Sequence, residues 1–380
     1  MINNFQDRPY QTRLINNVFN DWIGRNKYGV KVKSGVIQSP PGSGKTVMGF
    51  KLAKMFKDNA KDICGCDSKD VGIGWVAGRR NLLRQAMIEN ETMIKCPDVH
   101  FLSQFANTVS PKLLEYKVVL LVIDEAHHEA CSSMHGIINA IDPGYMLGLS
   151  ATPKRTDNAK LCFQKTYVDA GFYTLIDEGW LSKFDHWMLP DWQPNSVVGH
   201  YLRDKEIWGK SIIFFPSREE CEEAVKILNN NNIKVDLVTG ETDRESQIEK
   251  FENGDIDVLV NMFVLTEGFD CSSLKTVFVR DSGELPTIQM SGRVLRPHPE
   301  ISVANIVQSV KTRWPFTRTA NIANRQHLWH NGGWKYIGKS DLVEKAAQDM
   351  IKQLANSKVD EKMLIRLKSM SRKGKRKIIA

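Results

Sequence analysis

The stretch SPPGSGKT, Ser39 to Thr46, constrains this chain more than any other. It follows the apolar run SGVIQ and precedes the helical pattern KTVMGFKLAKMF. A strand that breaks into a Gly-rich turn and continues as a helix is the frame of a phosphate-binding loop. Gly42 and Gly44, with Ser43 between them, let the backbone curl so that its amides point inward at phosphate oxygens. Lys45 is placed to neutralise the β/γ-phosphates and the Thr46 hydroxyl to ligate Mg2+. Ser39 stands where the usual pattern begins with Gly, and a small residue fits there. The bland alternative is a chance Gly-rich turn, which the strand–loop–helix context disfavours.

Around this loop, continuous apolar runs recur: SGVIQSP, VGIGWVAG, KVVLLVID and YMLGLSAT. Each is too unbroken for a half-exposed strand, which points to strands buried on both faces of a parallel sheet. Helical patterns such as RRNLLRQAMIENE lie between them, the alternation of a doubly wound α/β fold. The series restarts at SIIFF (Ser211 to Phe215) and continues through KVDLVTG, DVLVNM, TVFVRD and SVANIVQSV. Ser217 with Glu220, and Thr242 with Glu245, read as capping boxes that open helices. The expected organisation is a first lobe over 1–155 and a connecting segment with the start of the second lobe over 156–210. The second lobe follows over 211–320, then a C-terminal helical segment with a basic tail over 321–380. The junction is expected in DHWMLPDWQPNSVVGHYL, and SDLVEKAAQDMIKQLANS carries the helical spacing of the last segment.

Charge is uneven. The formal net charge is +8, while 321–380 holds 14 Lys+Arg and 5 Asp+Glu, a net of +9 that leaves 8 − 9 = −1 for the rest. Arg372, Lys373, Lys375, Arg376 and Lys377 concentrate it further. A polyanion partner is one reading of this run and a solvated tail the other. No apolar run reaches the roughly 20 residues of a membrane span, and MINNFQDRPY lacks a secretory core. The seven cysteines are scattered, with Cys64 and Cys66 in a lone C-x-C, so reduced thiols in a cytoplasmic protein are expected.

The run LLVIDEAHHEA (Leu120 to Ala130) offers metal-binding residue types, yet His127 and His128 are adjacent rather than at the i, i+4 spacing of a helical zinc site. A phosphate-binding loop needs an acidic residue at the tip of a neighbouring strand to hold Mg2+. Asp124 supplies it, and Glu125 would then accept a proton from the attacking water. The cluster is expected to serve ATP and Mg2+ bound by the loop.

DEAH, SAT (Ser150 to Thr152), TEGFD (Thr266 to Asp270) and QMSGRVLR (Gln289 to Arg296) resemble successive motifs of superfamily 2 DEAH-motif helicases and translocases. They occur in the family's order between Pro9 and Pro297. RPYQ, YTLIDEGWLS and VLTEGFD make the RadD, UvsW and XPB-like branch the nearest likeness. The resemblance implies two RecA-like lobes and an ATP-dependent nucleic-acid motor, with DNA favoured over RNA by the branch alone. It further implies the cytoplasm of a prokaryotic or phage-infected cell, and single-strand-binding or recombination and replication proteins as partners.

Carried onto this sequence, it has Gln11 read the adenine edge, with Arg8 or Phe5 on the base. Gln11 as a mere helix start is the alternative. Gly268 and Asp270 would approach the ribose. Arg293 and Arg296, i and i+3 on the expected helix LPTIQMSGRVLR, would reach the γ-phosphate together with Gln289. His127 would link the ATP site to the facing lobe, and Ser150 and Thr152 would relay toward nucleic acid or simply cap a strand. Arg79, Arg80 and Gln85, then Ser103, Gln104, Thr239, Gly240 and Thr266, would contact phosphates. Trp329 and Trp334 read as base-stacking residues, as a small core or as a clamp against the second lobe. A motor subunit of a larger complex and a nucleotide-gated clamp are the rival classes.

Overall fold

A computed structural model describes residues 8–24, 31–105, 109–128, 132–152, 159–266, 269, 271–320 and 323–337, with the backbone alone at His128. The chain divides into a unit ending at Asn324 and a second beginning at Arg325.

The first unit holds two parallel sheets. The strands of the first are β1 (Ser34–Gln38), β2 (Val71–Ala77), β3 (Val99–Ser103), β4 (Lys117–Ile123), β5 (Tyr145–Ser150) and β6 (Lys165–Tyr167). Their order is β3-β2-β4-β5-β1-β6. Every residue of β2 is buried, as is every residue of β4 after Lys117. These are the unbroken apolar runs, covered on both faces as such runs require. Because β1, β5 and β4 are neighbours, the loops that follow them share one edge of the sheet. The phosphate-loop sequence, SAT and DEAH are those loops, and ligands in open α/β sheets bind outside such carboxyl ends.

The second sheet is built from β7 (Phe184–Leu189), β8 (Ser211–Phe214), β9 (Val235–Val238), β10 (Val258–Asn261), β11 (Thr276–Val279) and β12 (Ala304–Ser309). Within this unit they run β7-β12-β11-β8-β10-β9, all parallel. Two doubly wound lobes result, as the alternation implies.

The junction differs from expectation. β6 pairs with β1, so the first lobe extends to Tyr167, and β7 pairs with β12, so the second begins by Phe184. Three residues at a sheet edge give too short a pattern to read. The tryptophans and prolines taken as linker punctuation belong to the second lobe instead. Trp187 is buried and bonds Asn305, and Trp192 donates to the Phe214 carbonyl at 3.1 Å. Ser217 caps the helix Arg218–Asn230 by accepting from the Glu220 amide. At the second expected box the cap is Asp243, accepting from Ser246, while Thr242 donates to Gln247 at 2.8 Å. Asp is as good an N-cap as Thr, and it sits one residue nearer the helix.

The second unit, expected to be helical, shows an antiparallel hairpin among its described residues, Arg325–His330 with Gly333–Tyr336. Asn331 and Gly332 both have positive φ (49° and 79°), a two-residue turn of the type that Asn-Gly favours. That dipeptide between LW and WKY was the available signal. The helix expected over 340–357 and the tail residues Arg372, Lys373, Lys375, Arg376 and Lys377 lie outside the described residues. Among those described, no helix is long and apolar enough to cross a membrane.

Candidate active site

The turn after β1 has the expected form. Gly42 and Gly44 take φ of 78° and 81°, and Gly44 precedes the helix Lys45–Asp58, whose first amides are exposed to an anion. The Ser39 amide bonds the Ser150 carbonyl at 3.1 Å, fixing the loop to the end of β5. Lys45 Nζ folds back toward the Ser39 and Pro40 carbonyls at 3.3 and 3.4 Å. Burial pulls the Lys45 ammonium below its ordinary range, and Glu125 and Asp124 oppose that pull.

At the end of β4, burial pushes the Asp124 carboxyl up to about 7; neighbouring Glu125 adds to this and Lys45 opposes it. Its Oδ1 accepts from the Glu125 amide at 3.0 Å. Glu125 adopts φ of 49°, a left-handed conformation that costs a non-Gly residue and recurs at functional sites. Among the described residues no group of three or more His, Cys, Asp and Glu could hold a metal by itself. Asp124 and Thr46 nonetheless line one cleft and supply hard oxygen donors. That set fits Mg2+, which is bound through one or two carboxylates and completed by phosphates.

The cleft has a volume of about 560 Å³ and runs between the lobes. At one end Gln11, 2% exposed, donates to the Ser43 carbonyl at 2.8 Å, while its Oε1 is buried without a partner. The Tyr10 hydroxyl donates to the same carbonyl at 2.5 Å, and Arg8 donates to Gly42 O at 3.2 Å. The Arg8 guanidinium also lies 5.6 Å over the ring of Trp180, which meets Tyr10 edge-on at 6.2 Å. Trp180 lines the cleft and was not singled out in the sequence. Its neighbour Gly179, at φ of 77°, marks the tight turn that could have drawn attention to it. Phe5, Gly268 and Asp270 lie outside the described residues.

From the second lobe come Gln289, Arg293 and Arg296. The helix expected to carry both arginines ends at Gly292, with Arg293 as its cap. Pro297 disfavours helical backbone at the residue before it, and the chain leaves through short-range turns. The arginines still reach the cleft. Arg293 Nη1 donates to the Phe269 carbonyl at 2.7 Å, and Arg296 Cγ would lie 3.5 Å from a Cβ at Gly42. A Cβ at Gly292 would fall 2.6 Å from Pro41, so its hydrogen is what lets the lobes meet there. Gln289 approaches His127 Nε2 at 3.2 Å, and His127 Nδ1 lies 3.4 Å from Glu125 Oε2.

The residues assigned to phosphates of a strand are more scattered. Gln85 lines the cleft and donates to Glu89 at 2.9 Å. It faces one turn along its own helix, a direction spacing alone did not reveal. Arg79 donates to the Val264 carbonyl of the other lobe at 3.2 Å, Arg80 is exposed, and Arg84 pairs across the lobes with Glu245 at 2.9 Å. Ser103 accepts from the Phe105 amide at 3.3 Å, and Gln104 is buried after β3. Thr239 is half-buried and Gly240 exposed in the bend after β9, with the Glu241 amide donating to Thr239 Oγ1 at 3.1 Å. Thr266 donates to the Phe263 carbonyl at 2.6 Å. Ser150 Oγ donates to the Thr152 carbonyl at 2.7 Å and accepts from the Thr152 amide, a strand-end cap.

Two family models match this chain: "Type III restriction enzyme, res subunit" over 4–155 and "Helicase conserved C-terminal domain" over 193–298. The two models match in order along the chain, and together they support a likeness to the superfamily 2 helicases. The chain is 26% identical over 234 residues to a Saccharomyces cerevisiae protein provisionally named ATP-dependent helicase IRC3. That match covers 51% of this chain, which spans about a third (34%) of the relative's length. Among solved structures it resembles the ATP-dependent Type ISP restriction-modification enzyme LlaBIII bound to DNA, with TM-score 0.54 and 14% identity. That likeness covers 82% of this chain and 28% of the other. It also resembles a variant of S. cerevisiae Dbp5 bound to RNA and ADP BeF3, with TM-score 0.55, 17% identity, and coverage of 92% and 98%. At these identities the two structures speak for the fold alone.

Proposed function

We propose that this protein is an ATP- and Mg2+-dependent motor on nucleic acid, acting on DNA in preference to RNA. The observation that carries the reading is that one cleft gathers Lys45, Thr46, Asp124 and Glu125 from the first lobe with Arg293 and Arg296 from the second. A site completed only by two lobes couples nucleotide state to their closure.

In this reading Gly42, Ser43, Gly44 and Lys45 hold the phosphates, and Gln11 and Arg8 hold the base. Thr46 and Asp124 hold Mg2+, which when bound offsets phosphate charge. Glu125 takes the proton of the attacking water, and Arg293 and Arg296 stabilise the charge that develops, with Gln289 and His127 between the lobes. Gly268 and Asp270 are assigned to the ribose. Arg79, Arg80, Gln85, Ser103, Gln104, Thr239, Gly240 and Thr266 are proposed for the polynucleotide backbone, where contacts position without reading sequence. DNA is favoured by the branch resemblance, and branched or duplex intermediates of repair, recombination or replication are the proposed substrates.

The test is ATP hydrolysis measured with single-stranded, duplex, forked and four-way DNA and with RNA. Stimulation by a DNA class above RNA supports the reading, and hydrolysis indifferent to every polymer removes it. A second reading, a motor subunit that translocates on duplex inside a larger complex, is favoured by the restriction-subunit model that matches the first lobe. Duplex-stimulated hydrolysis with no strand separation would select it.

A further inference from the structure

The loop after β10 carries a ring that the nucleotide cleft does not use. Phe263 is 44% exposed, which for a single apolar residue is ordinary. Its mounting is not. The Phe263 carbonyl accepts from the Thr266 amide at 3.1 Å and the Thr266 hydroxyl at 2.6 Å. Asn261 Oδ1 accepts from the Leu265 amide at 3.2 Å, so the backbone beneath the ring is fixed. β8 lies between β11 and β10, and Arg280, just after β11, spans it to set its guanidinium 4.2 Å from the ring centroid. Arg280 is 9% exposed, its Nη1 donates to the Asp281 carbonyl, and its buried Nε has no hydrogen-bond partner among the described residues. The Asp281 carboxylate is engaged by Arg313 at 2.8 Å. The guanidinium therefore leans on the ring face, a cation–π contact that desolvation strengthens.

With one face backed by Arg280, the exposed area of Phe263 belongs to the opposite face and the ring edge. The sheet decides what lies near it. Asn261 pairs with Val238, so the loop holding Phe263 and the bend holding Thr239 and Gly240 leave the sheet side by side. Thr266 is bonded to Phe263, and Val264 beside it accepts from Arg79 of the first lobe at 3.2 Å. Thr239, Gly240, Thr266 and Arg79 are all proposed above for the polynucleotide backbone. Backbone contacts position a strand and leave its bases unread. An apolar ring with one open face, set among them, suits a base that has left its stack. A duplex keeps its base faces inside.

We propose that Phe263, backed by Arg280, stacks on one base of a single-stranded nucleic acid held by the two lobes. The proposal rests on the nucleic-acid reading above and adds a base contact which that reading does not contain. Stacking of this kind tolerates any sequence, because every base has a π-face. The guanidinium beneath holds the ring in place before the strand arrives, which spares the cost of ordering it on binding.

The experiment uses the full chain and a fluorescently labelled oligothymidylate, with a duplex of equal length as control. Phe263→Leu keeps an apolar cover over Arg280 but has no π-face. It should weaken single-strand binding roughly 5- to 100-fold, with a much smaller effect on duplex. The slope against salt should not change, because no phosphate contact is lost. Phe263→Trp should bind at least as well as wild type. Arg280→Gln frees the ring and should lose part of the same factor, adding nothing to Phe263→Leu in the double variant; fully additive losses would overturn the part given to Arg280. A second readout leaves the protein unaltered. Photolysis of 5-iodouracil couples a base to an aromatic ring stacked on it, so a strand carrying it in place of thymine should label Phe263. Unchanged single-strand affinity in Phe263→Leu, equal loss on duplex, or labelling confined to other residues overturns the base contact. A wild-type chain that binds no polymer overturns the motor reading, and the base contact with it.

Discussion

His127 of the first lobe meets Gln289 of the second, with 3.2 Å between the imidazole Nε2 and the side-chain amide nitrogen. If the amide donates, Nε2 accepts and the ring proton sits on Nδ1, which faces Glu125 Oε2 at 3.4 Å. The carboxylate assigned to the attacking water thus lies one imidazole away from the far lobe. His127→Ala and Gln289→Ala should each lower polymer-stimulated kcat. The double variant should fall no further than the worse single, since residues acting as a unit are non-additive. Fully additive losses in a double-mutant cycle would show that the two act separately.

Glu125→Gln removes a proton acceptor and leaves Asp124 in place. Turnover should drop by about 10²–10⁴ while ATP binding, measured by calorimetry, is retained. Lys45→Ala should weaken nucleotide binding itself. Near-normal turnover in Glu125→Gln would take Glu125 out of the catalytic role.

Trp180 lies against Arg8 and Tyr10 at the end of the cleft where Gln11 leaves an unpartnered Oε1. Trp180→Ala should raise the KM for ATP about 2- to 10-fold, the scale of one aromatic contact, with little change in kcat. Trp180→Phe should sit between. An unchanged KM in the alanine variant would remove Trp180 from the base site.

The second lobe should respond to acid through His186. Burial pulls its imidazole down to about 4, against the hydrogen bond its Nε2 gives to Gln308 Oε1, which favours the charged form. The unfolded chain, near 6.5, therefore takes up a proton between about pH 6.5 and 4 that the folded chain refuses. This contribution is complete above pH 6.5 and declines as pH falls, by at most about 1.4 kcal/mol per unit. Denaturant midpoints at pH 7 and 5 should differ more in wild type than in His186→Gln, and equal differences would contradict the assignment.

Deleting 371–380 removes Arg372, Lys373, Lys375, Arg376 and Lys377. If they meet phosphates, DNA binding at low salt should weaken and its salt dependence flatten by about two to five units. ATP hydrolysis without DNA should be unchanged. An unaltered slope would leave the tail a solvated extension.

The parts of this site legible in the sequence are those whose geometry is local. The phosphate loop needs only two left-handed glycines between a strand and a helix, so SPPGSGKT declares itself, and DEAH sits at the end of a run that can only be a buried strand. Trp180 is different, because it reaches the cleft when the chain folds back between the lobes, a path no spacing records. Gln85 lines the cleft beside Glu89, and helical period does not say which side of a helix meets ligand. KTY is too short to show a strand, and the Asp243 cap lies one residue from Thr242, closer than patterns separate. The hairpin could have been read from Asn331-Gly332, but the apolar helix pattern that follows drew the whole segment toward helix.

Gly292 presses its bare α-carbon toward Pro41, with no allowance for even a methyl group. Machinery with zero clearance at one point is intolerant there and forgiving elsewhere. A lineage of this chain could exchange many surface residues and keep its working stroke. A single added carbon at that position would act as a wedge, leaving every chemical group intact on its own half and none of them able to meet.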